Sequence, residues 1–543
     1  MSGTLDRRDF LKTLSAGGMG VAAQALGLAA FERSARAAPA PSCGFWGDIV
    51  GTVGGVGGWT CGNFPGFKIL DIYLGGGASQ WETFWLPGGA TMPAFMTHGM
   101  GSPALDLGNL NWQANVGTVP CTAADLPGVP TDAAFFANQT GGGRIYWGAA
   151  AKPVWRRSDI LSRCRMVTQY HLLPPHEAAI PFCLTGLTLG NPRMAGTGAA
   201  IQRRAHEQFP AQVLPASYVL HSGAGFAPLA EVPLSMVGAH PGSARPLVIR
   251  VQNNNAFVDS LSRTGITAES DDLFLALRHE YRDRMRYHGA SATVRSTGFD
   301  GYWVAAELLK NAPNLQSLFA SNLLVIDTNV AVCPTHPTGT AATQHGTKTM
   351  LQAAASLLSA TGPARYVSVI DSGRAGIYDT HGDNATSHVH VLRTCANLYD
   401  MFKHLADIIH HPVNNPSGTL SLDDTMVCIN TEFGRTNNVN GNNGRDHWWT
   451  GYVSTFIGGP IPSGGASIQG AISETAADEG TAIDVHRYSA TDVRGAILLA
   501  AGIDPFADGN FRVSDFSAAL TAGIGPSAEA DIRDRLKGMI LGA

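Results

Sequence analysis

The chain predicts an α/β protein with a largely parallel central sheet and helices on both faces. Three observations carry that expectation. Short apolar runs recur along the chain, amphipathic stretches with apolar residues at three- and four-residue steps fall between them, and polar or glycine-bearing turns stand where the apolar runs stop. No repeat of fixed period is visible. The 543 residues are 44% hydrophobic and 15% charged, with 64 glycines, which is material for one large or two medium cores and too apolar for a disordered chain.

The first residues read as an address. Arg7-Arg8 stand before Phe10-Leu11-Lys12, a weakly apolar run follows from Leu14 to Ala30, and Ala35-Arg36-Ala37 offers the small residues that a signal peptidase reads. This is the pattern of a twin-arginine export signal over residues 1–37, implying the twin-arginine export machinery as a partner and a periplasmic or secreted location. The apolar run is broken by glycines and too short to remain in the bilayer, so no stable membrane anchor is expected. A formal net charge of −5 without any basic stripe argues against nucleic acid as a partner. None of the eight cysteines forms a C-x-x-C pair, which argues against a thiolate zinc site. Cys43 and Cys61 are the expected bridge in an oxidising compartment, and Cys428, inside a strand-like run, is expected as a buried thiol.

Residues 38–66 read as an irregular lead-in, and 67–543 as a single large domain. Phe67 to Leu74 is the first strand. It ends in Gly75-Gly76-Gly77-Ala78-Ser79-Gln80, which either cradles a phosphate or sulfate on backbone N–H groups or is a plain tight turn. A loop-rich insertion around 86–143 follows, then a strand over Cys164 to Tyr170. His171 and His176-Glu177 come next; loop histidines such as these either make surface hydrogen bonds or line a site. A second irregular insertion, a cap or rim, is expected around 190–245.

Leu247 to Val251 reads as a short strand, Asp271 to Tyr287 and Gly301 to Asn311 as helices, and Asn322 to Asp327 as a buried strand. A helix over Thr347 to Ala360 and a strand over Arg365 to Ile370 lead to the polar cluster Tyr378 to Asn384. The helix after it, from about His388 to His410, turns Leu398, Phe402, Leu405 and Ile408 to the core. Thr425 to Gly459 supplies two strands around a polar turn and an Asn/Gly-rich loop. Ser489-Ala490-Thr491-Asp492 is a capping box for a helix through Ala501, and a terminal helix closes the chain.

Asp379, His381, Glu432, Asp446 and His447 each lie just after or between expected strands, where a parallel sheet gathers loops at one edge. Carboxylates and imidazoles are the ligands of a hydrolytic Zn, Mn or Ca site, and such an ion polarises an ester oxygen. Arg435, with its planar fork of donors, suits an anionic oxyester. The plain alternative is that all of these residues are hydrogen-bonded loop residues fixing turns.

Asp379-Thr380-His381-Gly382 before a long helix, Thr431-Glu432-Phe433-Gly434-Arg435-Thr436, Gly444-Arg445-Asp446-His447-Trp448 and Leu74-Gly75-Gly76-Gly77-Ala78-Ser79-Gln80 resemble the twin-arginine-exported family called domain of unknown function 1501. The resemblance runs from about Phe67 to Asp504. It implies kinship with the alkaline phosphatase and sulfatase superfamily, and with it an alkaline phosphatase-like fold. On that kinship Asp379, His381 and His447 are ligands of one metal, and Glu432 belongs to a second. Asp446 binds or orients a second ion or a water, Arg435 clamps the anion, and Ser79, or a metal-bound water, is the nucleophile. The sequence departs from the superfamily at Phe433, where a second-metal histidine usually stands, and at Gly75 and Gly76, where a metal-binding aspartate ends the first strand. Glu82 replaces the Asp usual in the unknown-function family, and no C/S-x-P-x-R sulfatase motif is evident. The resulting expectation is an exported metal-dependent hydrolase of phosphate or sulfate esters. The rival is a non-catalytic envelope protein that binds a carbohydrate or protein partner through the same cleft, a reading that the ten tryptophans would suit.

Overall fold

The computed structural model describes residues 66–81, 86–87, 135–137, 144–146, 151–189, 191, 196–208, 214–222, 246–252, 254–261, parts of 269–280, 312–319, 322–326, 346–373, 377–381, 389–436, 440, 444–473, 480–483, 487–517 and 526–541. Residues 1–37, expected as an export signal, the lead-in with Cys43 and Cys61, Glu82, most of the 86–143 insertion, the expected helix Gly301 to Asn311 and most of Asp271 to Tyr287 lie outside these residues. Among the described residues no helix is long and apolar enough to cross a membrane.

An eight-stranded sheet organises the chain. Its strands are β1 (Lys68–Leu74), β2 (Cys164–Gln169), β3 (Ser217–His221), β4 (Leu247–Arg250), β5 (Tyr366–Asp371), β6 (Thr425–Thr431), β7 (Tyr452–Gly458) and β8 (Ser467–Gln469). They lie in the order β8-β2-β7-β6-β1-β5-β3-β4. β1 pairs in parallel with β5 and β6, β3 with β5 and β4, and β8 with β2. Only β7 runs against its neighbours, β2 and β6. The fold is therefore α/β with a mostly parallel sheet.

Side-chain alternation along β1 explains how both faces are covered. Leu70, Ile72 and Leu74 point into a core shared with α3 (Thr347–Leu357) and α4 (Val389–Ile408). Ile69 and Tyr73 join the opposite core, with α1 (His176–Thr185), α5 (Ala490–Ala500) and α6 (Pro526–Leu541). The two polar residues of this buried strand are neutralised on the face they meet. Lys68 Nζ donates to the carbonyls of Leu358 and Ser359, at the end of α3, and pairs with Asp424 at 3.0 Å. Asp71, on the other face, is paired with Arg494 of α5 and accepts from Tyr366 Oη at 2.6 Å and Asn430 Nδ2 at 3.0 Å.

The capping box at Ser489 forms as expected, with the Ser489 side chain accepting from Asp492 N and the Asp492 carboxylate receiving Ser489 N–H. Two expectations fail. The segment 190–245 is not irregular throughout, since it supplies α2 (Thr197–Gln208) and β3, an internal strand of the sheet. The described part of the run expected over Asn322 to Asp327, residues 322–326, is not a strand: Asn322 takes φ 62, the chain turns, and among these residues only Val325 bridges, to Gln252. Left-handed backbone at a non-glycine residue breaks the extended run that the apolar side chains suggest.

Candidate metal centre

Four chain segments meet beyond the carboxyl ends of the parallel strands, the place where open α/β sheets put their ligands. The glycine turn leaves β1, Tyr378 to His381 follows β5, Glu432 to Arg435 follows β6, and α1 enters after β2. A two-stranded ribbon, Gly434–Arg435 against His447–Trp448, sets Arg435 opposite His447. Pro175, extended at φ −84 and ψ 145, delivers the chain into α1, so that His176 opens the helix; Gly186 at φ 74 ends it.

The turn after β1 is the tightest part of this assembly. Gly76 takes φ 115, and a Cβ there would sit 2.4 Å from the backbone nitrogen of Asp379. Only glycine permits that approach. Gly75 receives the N–H of Tyr378 on its carbonyl at 3.1 Å, which ties the β5 loop to the turn.

Asp379 is the hub. His447 Nε2 lies 3.3 Å and His381 Nε2 3.1 Å from its Oδ1, and His176 Nε2 lies 3.5 Å from its Oδ2. His381 Nε2 and His447 Nε2 face each other at 2.9 Å. A tetrahedral zinc with ligands at about 2.0–2.1 Å would separate neighbouring donor atoms by roughly 3.3 Å, so these spacings are those of the edges of such a site. The donor atoms of His176, Asp379 and His447 all lie within 4.8 Å of one another, a group able to hold a metal ion. The donor set fits a divalent ion. Its side chains are 10%, 16% and 18% exposed, whereas that of His381 is 44% exposed and marks the open side.

The electrostatics follow from the same contacts. Burial alone would raise the Asp379 carboxyl; hydrogen bonds from His176, His381 and His447 and the charge of Arg435 outweigh it and hold the group far below the ordinary range. For His176 burial works downward, but hydrogen bonds to Asp379 and Glu432 prevail and raise it to about 9. The hydrogen bond to Asp379 raises His381 against its burial. Burial lowers His447, leaving it a neutral imidazole with a lone pair to offer.

The remaining candidates stand behind this cluster. Glu432 is fully buried: Oε1 receives Gly76 N–H at 2.7 Å and faces His176 Nδ1 at 3.0 Å, while Oε2 receives the Tyr73 hydroxyl at 2.8 Å. Burial first, and the negative charge of Glu432 next, keep Tyr73 protonated and donating. Asp446 Oδ1 lies 3.2 Å from His381 Nδ1 and accepts from Asn440 Nδ2 at 2.9 Å.

Arg435 corrects the expectation of an anion clamp. Its guanidinium is buried and donates to the carbonyls of Gly76, Gly77, Tyr378 and Arg445 and to Asp379 Oδ1, the last at 2.7 Å. It fastens the glycine turn to the β5 loop. Ser79 is 1% exposed, and its hydroxyl has no hydrogen-bond partner among the described residues.

His171 and His176 are both buried rather than superficial. Leu173 N donates to His171 Nδ1 at 3.1 Å, so His171 Nε2 carries the proton and donates to the Glu432 carbonyl at 2.5 Å. Burial pushes His171 down to about 4. The signal for His176 is present in the chain: a histidine placed by Pro174-Pro175 just beyond a buried strand. Cys164, Cys183 and Cys428 are free buried thiols, as expected for Cys428.

No curated protein and no solved structure matches the chain. Residues 68–517, which contain the whole cluster from Gly76 to His447, match the family described as "Protein of unknown function (DUF1501)", and the chain belongs to that family.

Proposed function

We propose that the protein is an exported metal-dependent hydrolase of phosphate or sulfate esters, carried across the membrane by the twin-arginine machinery. The observation that supports it most is the convergence of three imidazole Nε2 atoms on the Asp379 carboxylate at the spacing of metal ligands. Kinship with the alkaline phosphatase and sulfatase superfamily, implied by the motifs, belongs to the same reading. Three nitrogens and one carboxylate favour Zn2+ and argue against Ca2+, which takes oxygen ligands almost exclusively.

A bound ion supplies Lewis-acid polarisation of the ester oxygen. The chain's own residues do the rest. Asp379 stays ionised and His447 neutral, so both present lone pairs at neutral pH. His381, on the open side, is where an anionic ester would arrive. Because Ser79 is buried and the open side lies at His381, we assign the attack to water. Water then adds across the P–O or S–O bond, and the alcohol leaves with a proton.

The test is a screen of aryl phosphate and sulfate esters with the purified protein, with and without chelator, alongside elemental analysis. Turnover that chelator abolishes and Zn2+ restores is expected, and Ser79→Ala should retain it. Metal-free protein, inactive on every ester after Zn2+ addition, would sink the proposal and leave the carbohydrate- or protein-binding role.

A further inference from the structure

We infer that the site takes a single divalent ion, held by His176, Asp379 and His447 with His381 at its open side, and that Glu432 and Asp446 are positioning residues for His176 and His381 rather than ligands of a second ion. The inference rests on the metal reading above and deepens it.

A carboxylate that binds a metal must direct a lone pair at it. Both Glu432 oxygens are already engaged, by Gly76 N–H, His176 Nδ1 and the Tyr73 hydroxyl. With Nδ1–H donating to Glu432, His176 keeps Nε2 on the Asp379 side, free to exchange its proton for an ion, which is how an outer carboxylate fixes the tautomer and the ring of a metal-binding histidine. Asp446 repeats the arrangement on the opposite side: its Oδ1 meets His381 Nδ1, and His381 Nε2 points inward at His447 and Asp379. The two carboxylates sit behind two imidazoles, one against each oxygen of Asp379.

The space beside that point is closed to a second cation. Phe433, fully buried, lays its ring against His447 at 4.1 Å between centroids and against His176 at 4.8 Å. It offers no ligand atom. The glycine turn closes on the same ring, since a Cβ on Gly77 would sit 2.5 Å from Phe433 Cε2. Arg435 places a fixed positive charge on Asp379 Oδ1 and on the carbonyls of Gly76 and Gly77. A guanidinium fixed on the glycine-turn side of Asp379 repels a second divalent ion there.

Calorimetric titration of the metal-free full chain with Zn2+, checked by elemental analysis, is expected to give one ion per chain. His176→Ala should weaken binding by at least about tenfold and change the visible spectrum of the Co2+ form, because a ligand is lost. Asp446→Asn, at a side chain 57% exposed and therefore safe for folding, should weaken binding about tenfold, within the range of roughly 10–100-fold for outer carboxylates, while the Co2+ spectrum keeps its form. Glu432→Gln should lower affinity without lowering the stoichiometry. Two ions per chain, or a Glu432→Gln protein that loses one of two, would overturn the inference and leave the metal reading standing. Unchanged affinity in both His176→Ala and Asp446→Asn would do the same. A wild-type chain that binds no ion would overturn both.

Discussion

At the scale of single residues, the centre depends on charges that are buried and already committed. Arg435 is the clearest case, because its planar fork reaches carbonyls on two loops and a carboxylate at once. An ammonium group has neither the fork nor the reach. Arg435→Met, which leaves Asp379 without its buried partner, is therefore expected to cost about 3–5 kcal/mol, read as a lower urea midpoint with an unchanged m-value, and Arg435→Lys, which keeps the charge but not the fork, should cost less. The histidines predict a pH dependence whose sign can be worked out. His176 is raised to about 9 in the folded protein, above the ordinary value of about 6.5. In the metal-free protein its stabilisation is thus fully present below pH 6.5 and is lost as pH rises through about 9; His381, also raised, adds in the same direction. Urea melts of metal-free protein between pH 6 and 10 should show that decline, and His176→Ala should flatten it. Because an ion competes with the proton for His176, stabilisation by added Zn2+ should grow over the same window.

At the scale of elements, local chemistry and tertiary contact can be separated. Helix α5 begins at a capping box written in four consecutive residues, Ser489 to Asp492, and Ser489→Ala is expected to cost about 1 kcal/mol. Thermal melts of the variant check it, and Ser489→Gly should lose less. The same locality made β1, β2, β5, β6 and β7 legible, since each is an apolar run of strand length that stops at a polar or glycine turn. β3 escaped because its five residues, Ser217 to His221, sit in a Pro/Gly-rich stretch that hides the strand's short apolar run. Asn322 to Asp327 misled for the opposite reason: an apolar run does not distinguish a strand from a buried turn. In the site, Asp379, His381 and His447 could be picked out as polar residues at strand ends. The roles of Glu432 and Arg435 could not, because key partners lie far off along the chain: His176 and Gly76 are 256 and 356 residues from Glu432, and Gly77 is 358 from Arg435.

At the scale of the whole molecule, the ligand set is spread over the domain: His176 opens α1, Asp379 and His381 follow β5, and His447 precedes β7. An ion held by His176, Asp379 and His447 joins segments that are remote in sequence. The unfolded chain keeps no such arrangement, so ion binding free energy becomes folding free energy. At free Zn2+ one hundred times the dissociation constant, linkage adds about 2.7 kcal/mol to global stability, and a tenfold higher concentration adds about 1.4 kcal/mol more. Urea unfolding followed by tryptophan fluorescence in a series of buffered Zn2+ concentrations is expected to show the midpoint rising with the logarithm of free ion, at one ion per chain. The slope is the informative quantity. A second ion coupled to folding would double it, and a surface ion with no part in joining the segments would leave it flat. Since Phe433 and Arg435 persist in the folded protein with or without the ion, the metal-free chain should still unfold cooperatively, only at lower urea. A non-cooperative melt of the metal-free form would mean that the ion, rather than this buried cation and its carbonyls, holds the loops on the sheet.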